Sequence, residues 1–497
     1  MKKPNIVYIL ADDLGYGDVS ALNERSAFQT PHLDAICANG IKFTDAHASS
    51  AVCTPSRYSI LTGRYNWRSR LKAGVMSGYS RALIGEERTT IADFLRGQGY
   101  RTAAIGKWHL GMNFSTDDTF VLRDDYETCE GVDYGGPISR SPISNGFDYF
   151  YGISASLDMP PYIYIENDRF TNLPDHETEG FEKRFWRNGP TAPDFRHEDV
   201  LDDLTDKVIE KIHEFKDDPF FLYFPLPAPH TPILPSAEFT GRSGTNEYGD
   251  FVLMCDDVVG RITQVLNELG IAENTILVFA SDNGCSPMAN FTELLAAGHN
   301  PSYVFRGHKA DIYEGGHRVP LLIQWPEFIP ANITCDQIVC LSDFFATVAE
   351  LFSVDLPDDV AEDSVSNLPL LRGETERSVR TDVIHQSVDG SLSIRKGSFK
   401  LEMCPGSGGW SYPAPGEETE DMPRFQLYDL EKDISERTNV IGSHPAVVEE
   451  LRALLIKRIV EGRSTAGQAQ ANDGERIWDA VQWLKEFVVD DNKSTSA

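Results

Sequence analysis

Ile6-Val7-Tyr8-Ile9-Leu10-Ala11-Asp12-Asp13 is an unbroken apolar run closed by two acids. A run this short and this sharply bounded by charge predicts a strand buried on both faces. Thr275-Ile276-Leu277-Val278-Phe279-Ala280, closed by Ser281-Asp282-Asn283-Gly284, has the same form. Between and around these runs, strands and helices alternate. Thr30-Pro31 opens a helix that Gly40 ends. Helical patterns follow at Thr89–Gly97, Asp206–Lys216, Tyr248–Leu269 and Asp343–Phe352. Strands are expected at Arg101–Ile105, Phe220–Phe224 and Val319–Gln324. This alternation predicts an α/β fold, with a mostly parallel central sheet and helices on both faces.

The pattern changes near residue 375. Ser391–Leu401 and Phe425–Tyr428 read as short strands, and Ala446–Val460 as a helix. We therefore expect an α/β domain over 1–375 and a smaller α+β domain over 376–497, its sheet antiparallel. Asp117–Pro142, rich in Asp and Gly, reads as a loop insertion near the active face. The polar stretch Asp490–Ala497 reads as a frayed tail.

The chain has 497 residues and a formal net charge of −31, which disfavours nucleic acid or an anionic membrane surface as a partner. No apolar run reaches the length of a membrane span. The Ile6–Ala11 run is too short for a signal-peptide core. That reading implies a cytoplasmic protein, or a periplasmic or secreted one from which a leader has been removed. Eight cysteines show no Cys-x-x-Cys and no Cys/His zinc spacing. Cys37 and Cys255 fall in apolar helical patterns and read as core residues. An anionic substrate would need cations concentrated in one cleft to overcome the general repulsion.

In an open α/β sheet, ligands sit beyond the carboxyl ends of the strands. Asp12, Asp13, Asp282 and Asn283 each follow a buried strand, so four oxygen donors would meet on one rim. Such a set suits Ca²⁺ or Mg²⁺ rather than zinc. The same residue types are also ordinary strand-to-loop turn formers. Cys53-Thr54-Pro55-Ser56-Arg57 opens an apparent helix running through Tyr58 and Leu61. A helix N-terminus favours an anion, and Arg57 shares a helical face with Cys53. After the strand at Arg101–Ile105 comes Gly106-Lys107-Trp108-His109, in which Lys107 and His109 point one way and Trp108 the other if the segment stays extended. Prolines stiffen the segment around His230 in Pro227-Ala228-Pro229-His230-Thr231-Pro232.

The pentapeptide at Cys53, with Leu61-Thr62-Gly63-Arg64 beyond it, resembles the signature of the type I sulfatases of the alkaline phosphatase superfamily. The resemblance runs from Pro4-Asn5-Ile6 to about Pro326, with a weaker echo at Leu427-Tyr428-Asp429-Leu430. It implies that a maturation enzyme oxidises Cys53 to formylglycine, an aldehyde whose hydrate is the nucleophile. It implies that Asp12, Asp13, Asp282 and Asn283 hold a divalent ion, usually Ca²⁺, with Mg²⁺ the alternative. Arg57, Lys107, His109, His230 and Lys309 (in Arg306-Gly307-His308-Lys309) are then the catalytic and sulfate-contacting residues. Two further histidines, His317 and His385, are candidate substrate contacts; ordering of a loop is the other reading for His317.

Tyr65–Leu71, Glu314-Gly315-Gly316-His317-Arg318 and Ser391–Arg395 resemble the bacterial branch that acts on sulfated sugars. A 6-sulfated galactose or N-acetylgalactosamine is the expected substrate, with an aryl sulfate ester as a simpler one. Two rivals stay open from sequence. One is a phosphonate or phosphate monoesterase of the same superfamily. The other is a non-catalytic protein that binds sulfated glycans, should Cys53 not be matured.

Overall fold

The computed structural model of the protein describes residues 2–122 and 129–487. Its largest sheet has ten strands. Asn5–Ala11 lies inside it, wholly buried, paired in parallel with Phe220–Pro225 on one side and Thr275–Ser281 on the other. Arg101–Lys107 and then Tyr149–Ile153 extend the parallel run. Antiparallel pairs join both flanks, and at one edge Ile333–Cys335 runs parallel to its neighbour Ile41–Phe43. Leu321–Gln324 pairs with Thr275–Ser281, and Ile165–Glu166 with Tyr149–Ile153. The sheet is therefore mixed, with a parallel middle.

Alternation along Asn5–Ala11 feeds two cores. Val7, Ile9 and Ala11 face one, with residues of the helices Pro31–Ala38, Val200–Phe215 and Glu247–Glu268. Ile6, Tyr8 and Leu10 face the other, with residues of Cys53–Thr62, Ile91–Gly97 and Phe344–Leu351. Covered on both faces, the strand is apolar from Ile6 until it leaves the sheet at Asp12, with Asn5 at its start turned toward Thr275.

Val383–Gln386, Leu392–Lys396, Phe399–Glu402 and Gln426–Asp429 form a separate antiparallel sheet. The helix Pro445–Glu461 covers it through Leu451, Leu455 and Ile459, which share a core with Tyr65 and Trp67. Backbone bonds tie this sheet to the approach to Cys53. Ala51 N donates to Gln386 O at 2.9 Å, and Gln386 N to Ser49 O at 3.1 Å.

Three expectations change. The Asp117–Pro142 insertion is not simply a loop, because Thr116–Leu122 pairs antiparallel with Cys129–Val132. Residues 123–128 of that stretch lie outside the described residues, as does the tail at Asp490–Ala497. The helix expected from Asp206 begins at Val200. Asp202 and Asp203 in its first turn complement the helix dipole, and Val200, Leu201 and Leu204 bury its start. Finally, Leu321–Gln324 runs antiparallel to its neighbour rather than continuing the parallel set.

Candidate active site

The helix Cys53–Thr62 starts with Cys53, and no side chain caps it, so its first N–H groups are free to face an anion. Gly63 ends it in the left-handed conformation, at φ 63°. A Cβ there would stand 2.6 Å from the Ala361 Cβ, which accounts for the glycine of Leu-Thr-Gly-Arg. Gly106 in Gly-Lys-Trp-His is equally constrained. Its φ is 135°, and a Cβ would fall 2.0 Å from the Pro225 carbonyl oxygen.

The strand ends deliver their acids to one buried spot. Cys53 Sγ donates to Asp12 Oδ1 at 3.4 Å. Asp13 N donates to Asp282 Oδ1 at 3.3 Å, and Asn283 Nδ2 to Asp13 Oδ1 at 2.7 Å. Asp13 itself has φ 66°, a turn that breaks it away from the strand, and Tyr248 Oη pins its carbonyl at 3.1 Å. Three cations oppose the three carboxylates. Arg57 meets Asp282 Oδ2 at 2.8 Å, Lys107 Nζ meets Asp12 Oδ2 at 2.5 Å, and Lys309 Nζ meets Asp13 Oδ1 at 2.7 Å. His230 Nε2 lies 3.6 Å from Asp13 Oδ2.

This arrangement sets the protonation states. Burial alone would raise Asp12, but Lys107, His230 and Arg57 hold its carboxyl well below the usual range. Burial and then Asp12 push Asp282 up to about 7. Burial and Asp12 also push the Cys53 thiol up, so no thiolate forms near neutral pH. Lys309 is held protonated against its burial by Asp13. Burial and Lys309 lower His230, while burial and Lys107 lower His109 further.

His109 leaves the strand with φ 56°, so the extended reading of Lys107 and His109 fails beyond Trp108. Trp108 is buried in the core, as the reading required. The His109 Nε2 lies 2.7 Å from the Met76 carbonyl, which makes that nitrogen the donor. Nδ1 then carries the lone pair, and it is buried without a partner.

The site fits a divalent cation. Asp12 and Asp13 converge with Cys53 and His230. Asn283 Oδ1 is buried with no hydrogen-bond partner, and burial and then Asp12 push the adjoining Asp282 carboxyl toward neutrality.

Ser156 was not singled out from sequence. Its Oγ lies 3.2 Å from both Lys107 Nζ and His230 Nδ1, linking two expected site residues. A serine in an irregular segment carries no spacing signal that would have found it.

The structure does not bring His317 and His385 to this cluster. Both are fully buried, with rings stacked 3.7 Å apart, and neither has surface with which to meet a substrate. His317 Nδ1 lies 3.1 Å from His47 Nδ1, and His47 Nε2 lies 2.9 Å from Asp45. Lys400 Nζ donates to His317 Nε2 at 3.1 Å. The trio braces the Asp45–Ala51 approach to Cys53 against the turn Glu314–His317 and the second sheet. Burial first, and then Lys400 for His317 and His317 for His385, lowers these imidazoles; burial also lowers His47. Each stays neutral in the fold but takes a proton in the unfolded chain below about pH 6.5. Their stability contribution is therefore present above that pH and lost as pH falls below it. For three such groups the expected slope approaches about 4 kcal/mol per pH unit, measurable by urea unfolding across a pH series.

A family model described as Sulfatase matches residues 4–354. The chain is 34% identical over 495 residues to an N-acetylgalactosamine-6-O-sulfatase of Bacteroides thetaiotaomicron, covering 91% of this chain and 93% of that one. It is 30% identical to human arylsulfatase A, over 95% of this chain and 91% of the relative. A solved Bacteroides thetaiotaomicron structure from work on glycosaminoglycan metabolism superposes with a TM-score of 0.81 at 33% identity. That match covers 92% of this chain and 99% of the other.

Proposed function

This chain belongs to the sulfatase family, and we propose that its sulfuric ester hydrolysis acts on a sulfated sugar, with 6-sulfated N-acetylgalactosamine or galactose as the reacting unit. The observation that carries the chemistry is the buried meeting of Cys53, three carboxylates and three cations. The relative named for N-acetylgalactosamine 6-sulfate supports the sugar.

Asp12, Asp13, Asp282 and Asn283 would hold the divalent cation; their hard oxygens suit Ca²⁺ or Mg²⁺, and the resemblance to the sulfatase family favours Ca²⁺. When bound, it supplies positive charge to polarise the sulfate group. Cys53, converted to formylglycine by a maturation enzyme, would supply the oxygen nucleophile that a suppressed thiol cannot.

The chain's own residues do the rest. Arg57 braces the rim by donating to both Asp282 and the Lys107 carbonyl, the latter at 3.0 Å. Lys107 and Lys309 concentrate positive charge where the −31 chain would otherwise repel an anion. Lys309, firmly protonated, neutralises charge developing on the sulfate. His230, whose Nε2 lies beside Asp13, is placed to hand a proton to the departing alcohol from its protonated form. Neutral His109, with Nδ1 bare, is the base for a proton at position 53.

Lys309→Ala is expected to lower kcat/KM about 10²–10³-fold, the usual cost of one transition-state charge contact. Hydrolysis of 4-nitrophenyl sulfate measures it, and an unchanged thermal unfolding profile separates it from misfolding. The sugar assignment is tested by sulfate release from defined 6-sulfated, 4-sulfated and N-sulfated sugars. Release confined to another position would defeat it. Parallel assays with 4-nitrophenyl sulfate and 4-nitrophenyl phosphate separate this reading from a phosphatase.

A further inference from the structure

Three groups at the edge of the constellation keep a little exposed side chain and so mark its mouth. These are His230 at 10%, Lys309 at 7% and Asp158 at 10%. His230 and Lys309 already have roles above. Asp158 does not. It lies beyond the strand Tyr149–Ile153, two residues past Ser156, which touches both Lys107 and His230.

The setting of Asp158 is unusual for a structural acid. Arg187 grips one carboxylate oxygen, Oδ2, through its guanidinium. The Arg187 backbone N–H also donates to the Asp158 carbonyl at 3.1 Å, so the two segments are clamped in register. The other carboxylate oxygen, Oδ1, is buried and has no hydrogen-bond partner. Leaving such an oxygen unmet is costly, and more so when it is charged. Burial would raise the group, but His230 and Arg187 keep it ionised.

An ionised carboxylate at this position works against the sulfate itself, because like charges repel. Its partner must therefore be a neutral hydrogen-bond donor on the other half of the ester. Beside His230, which faces the departing alcohol, that half is the sugar ring. We propose that Asp158 Oδ1 accepts a hydrogen bond from a hydroxyl of the sulfated sugar and thereby selects the alcohol, with Arg187 as its positioning residue. This rests on the sugar reading given under Proposed function. One oxygen is fixed by the clamp and the other is left without a partner on a side chain that reaches the mouth, so little ordering is needed on binding.

The test uses 6-sulfated galactose, its monodeoxy analogues and 4-nitrophenyl sulfate, with the wild-type enzyme and Asp158→Asn. In the wild type, one monodeoxy analogue is expected to lose about 10–100-fold in kcat/KM, the range of a hydrogen bond to a charged group. In the variant, the parent sugar falls by a similar factor and that analogue is no longer discriminated. The fall on 4-nitrophenyl sulfate, which has no such hydroxyl, is at least about tenfold smaller. Equal falls on sugar and aryl substrates would make Asp158 a structural residue and overturn the proposal. So would a wild-type enzyme indifferent to every ring hydroxyl. A wild type that cleaves the aryl sulfate but no 6-sulfated sugar would instead remove the substrate reading beneath it.

Discussion

Cys53→Ala is expected to lower sulfate ester hydrolysis about 10⁴–10⁶-fold, the scale on which loss of a nucleophile acts. The side chain makes one hydrogen bond, to Asp12, at the start of a helix otherwise anchored by buried residues, so the fold should survive the change. Cys53→Ser is expected to be comparably inactive. A thiol in this position is also a poor nucleophile, since burial and Asp12 hold it protonated. The proposed formylglycine at this position would supply the nucleophile instead. Peptide mass mapping of an active preparation should find the aldehyde at position 53, lighter than the thiol form. A fully active preparation carrying only unmodified cysteine would defeat the nucleophile assignment.

The legible parts of this protein are those where chemistry follows directly from a local pattern. Asp12, Asp13, Asp282 and Asn283 could be found because each terminates an apolar run, and strand ends in such a sheet share one rim. Cys53 and Arg57 could be placed together because four residues make one helical turn. His230 and Lys309 came from the family resemblance, because nothing local says which histidine or lysine meets Asp13 across the fold. Ser156 and Asp158 left no trace in the sequence. Their neighbours are Lys107, His230 and Arg187, and such partners appear only once the chain has folded. His317 and His385 were drawn toward the substrate because histidines beside site motifs look functional. The second sheet instead supplies Lys400 and Ser393 to enclose them. The ribbon Thr116–Leu122 with Cys129–Val132 was hidden by an Asp- and Gly-rich composition that ordinarily marks a loop.

Removal of a proposed metal ligand should be the other large effect, and the choice of substitution matters. Asp282→Ala would take away a hard oxygen and also strand Arg57, a buried guanidinium bonded to Asp282 Oδ2 at 2.8 Å. An uncompensated buried charge costs about 3–5 kcal/mol, so that variant confounds metal loss with unfolding. Asp282→Asn keeps the shape and an acceptor for Arg57 while deleting the charge. It is expected to weaken Ca²⁺ binding by more than the about 10–100-fold that loss of an outer partner costs, with the circular dichroism spectrum unchanged. Equilibrium dialysis gives the affinity directly, and an affinity equal to wild type would take Asp282 out of the ligand set. The wild type offers an independent check. Burial and Asp12 push Asp282 up to about 7 in the metal-free site, so the cation must displace a proton there. Affinity for Ca²⁺ should therefore rise as pH increases through neutrality and flatten above it, with proton release detectable on binding. In Asp282→Asn, where that carboxyl is absent, the pH dependence near neutrality should vanish along with most of the affinity.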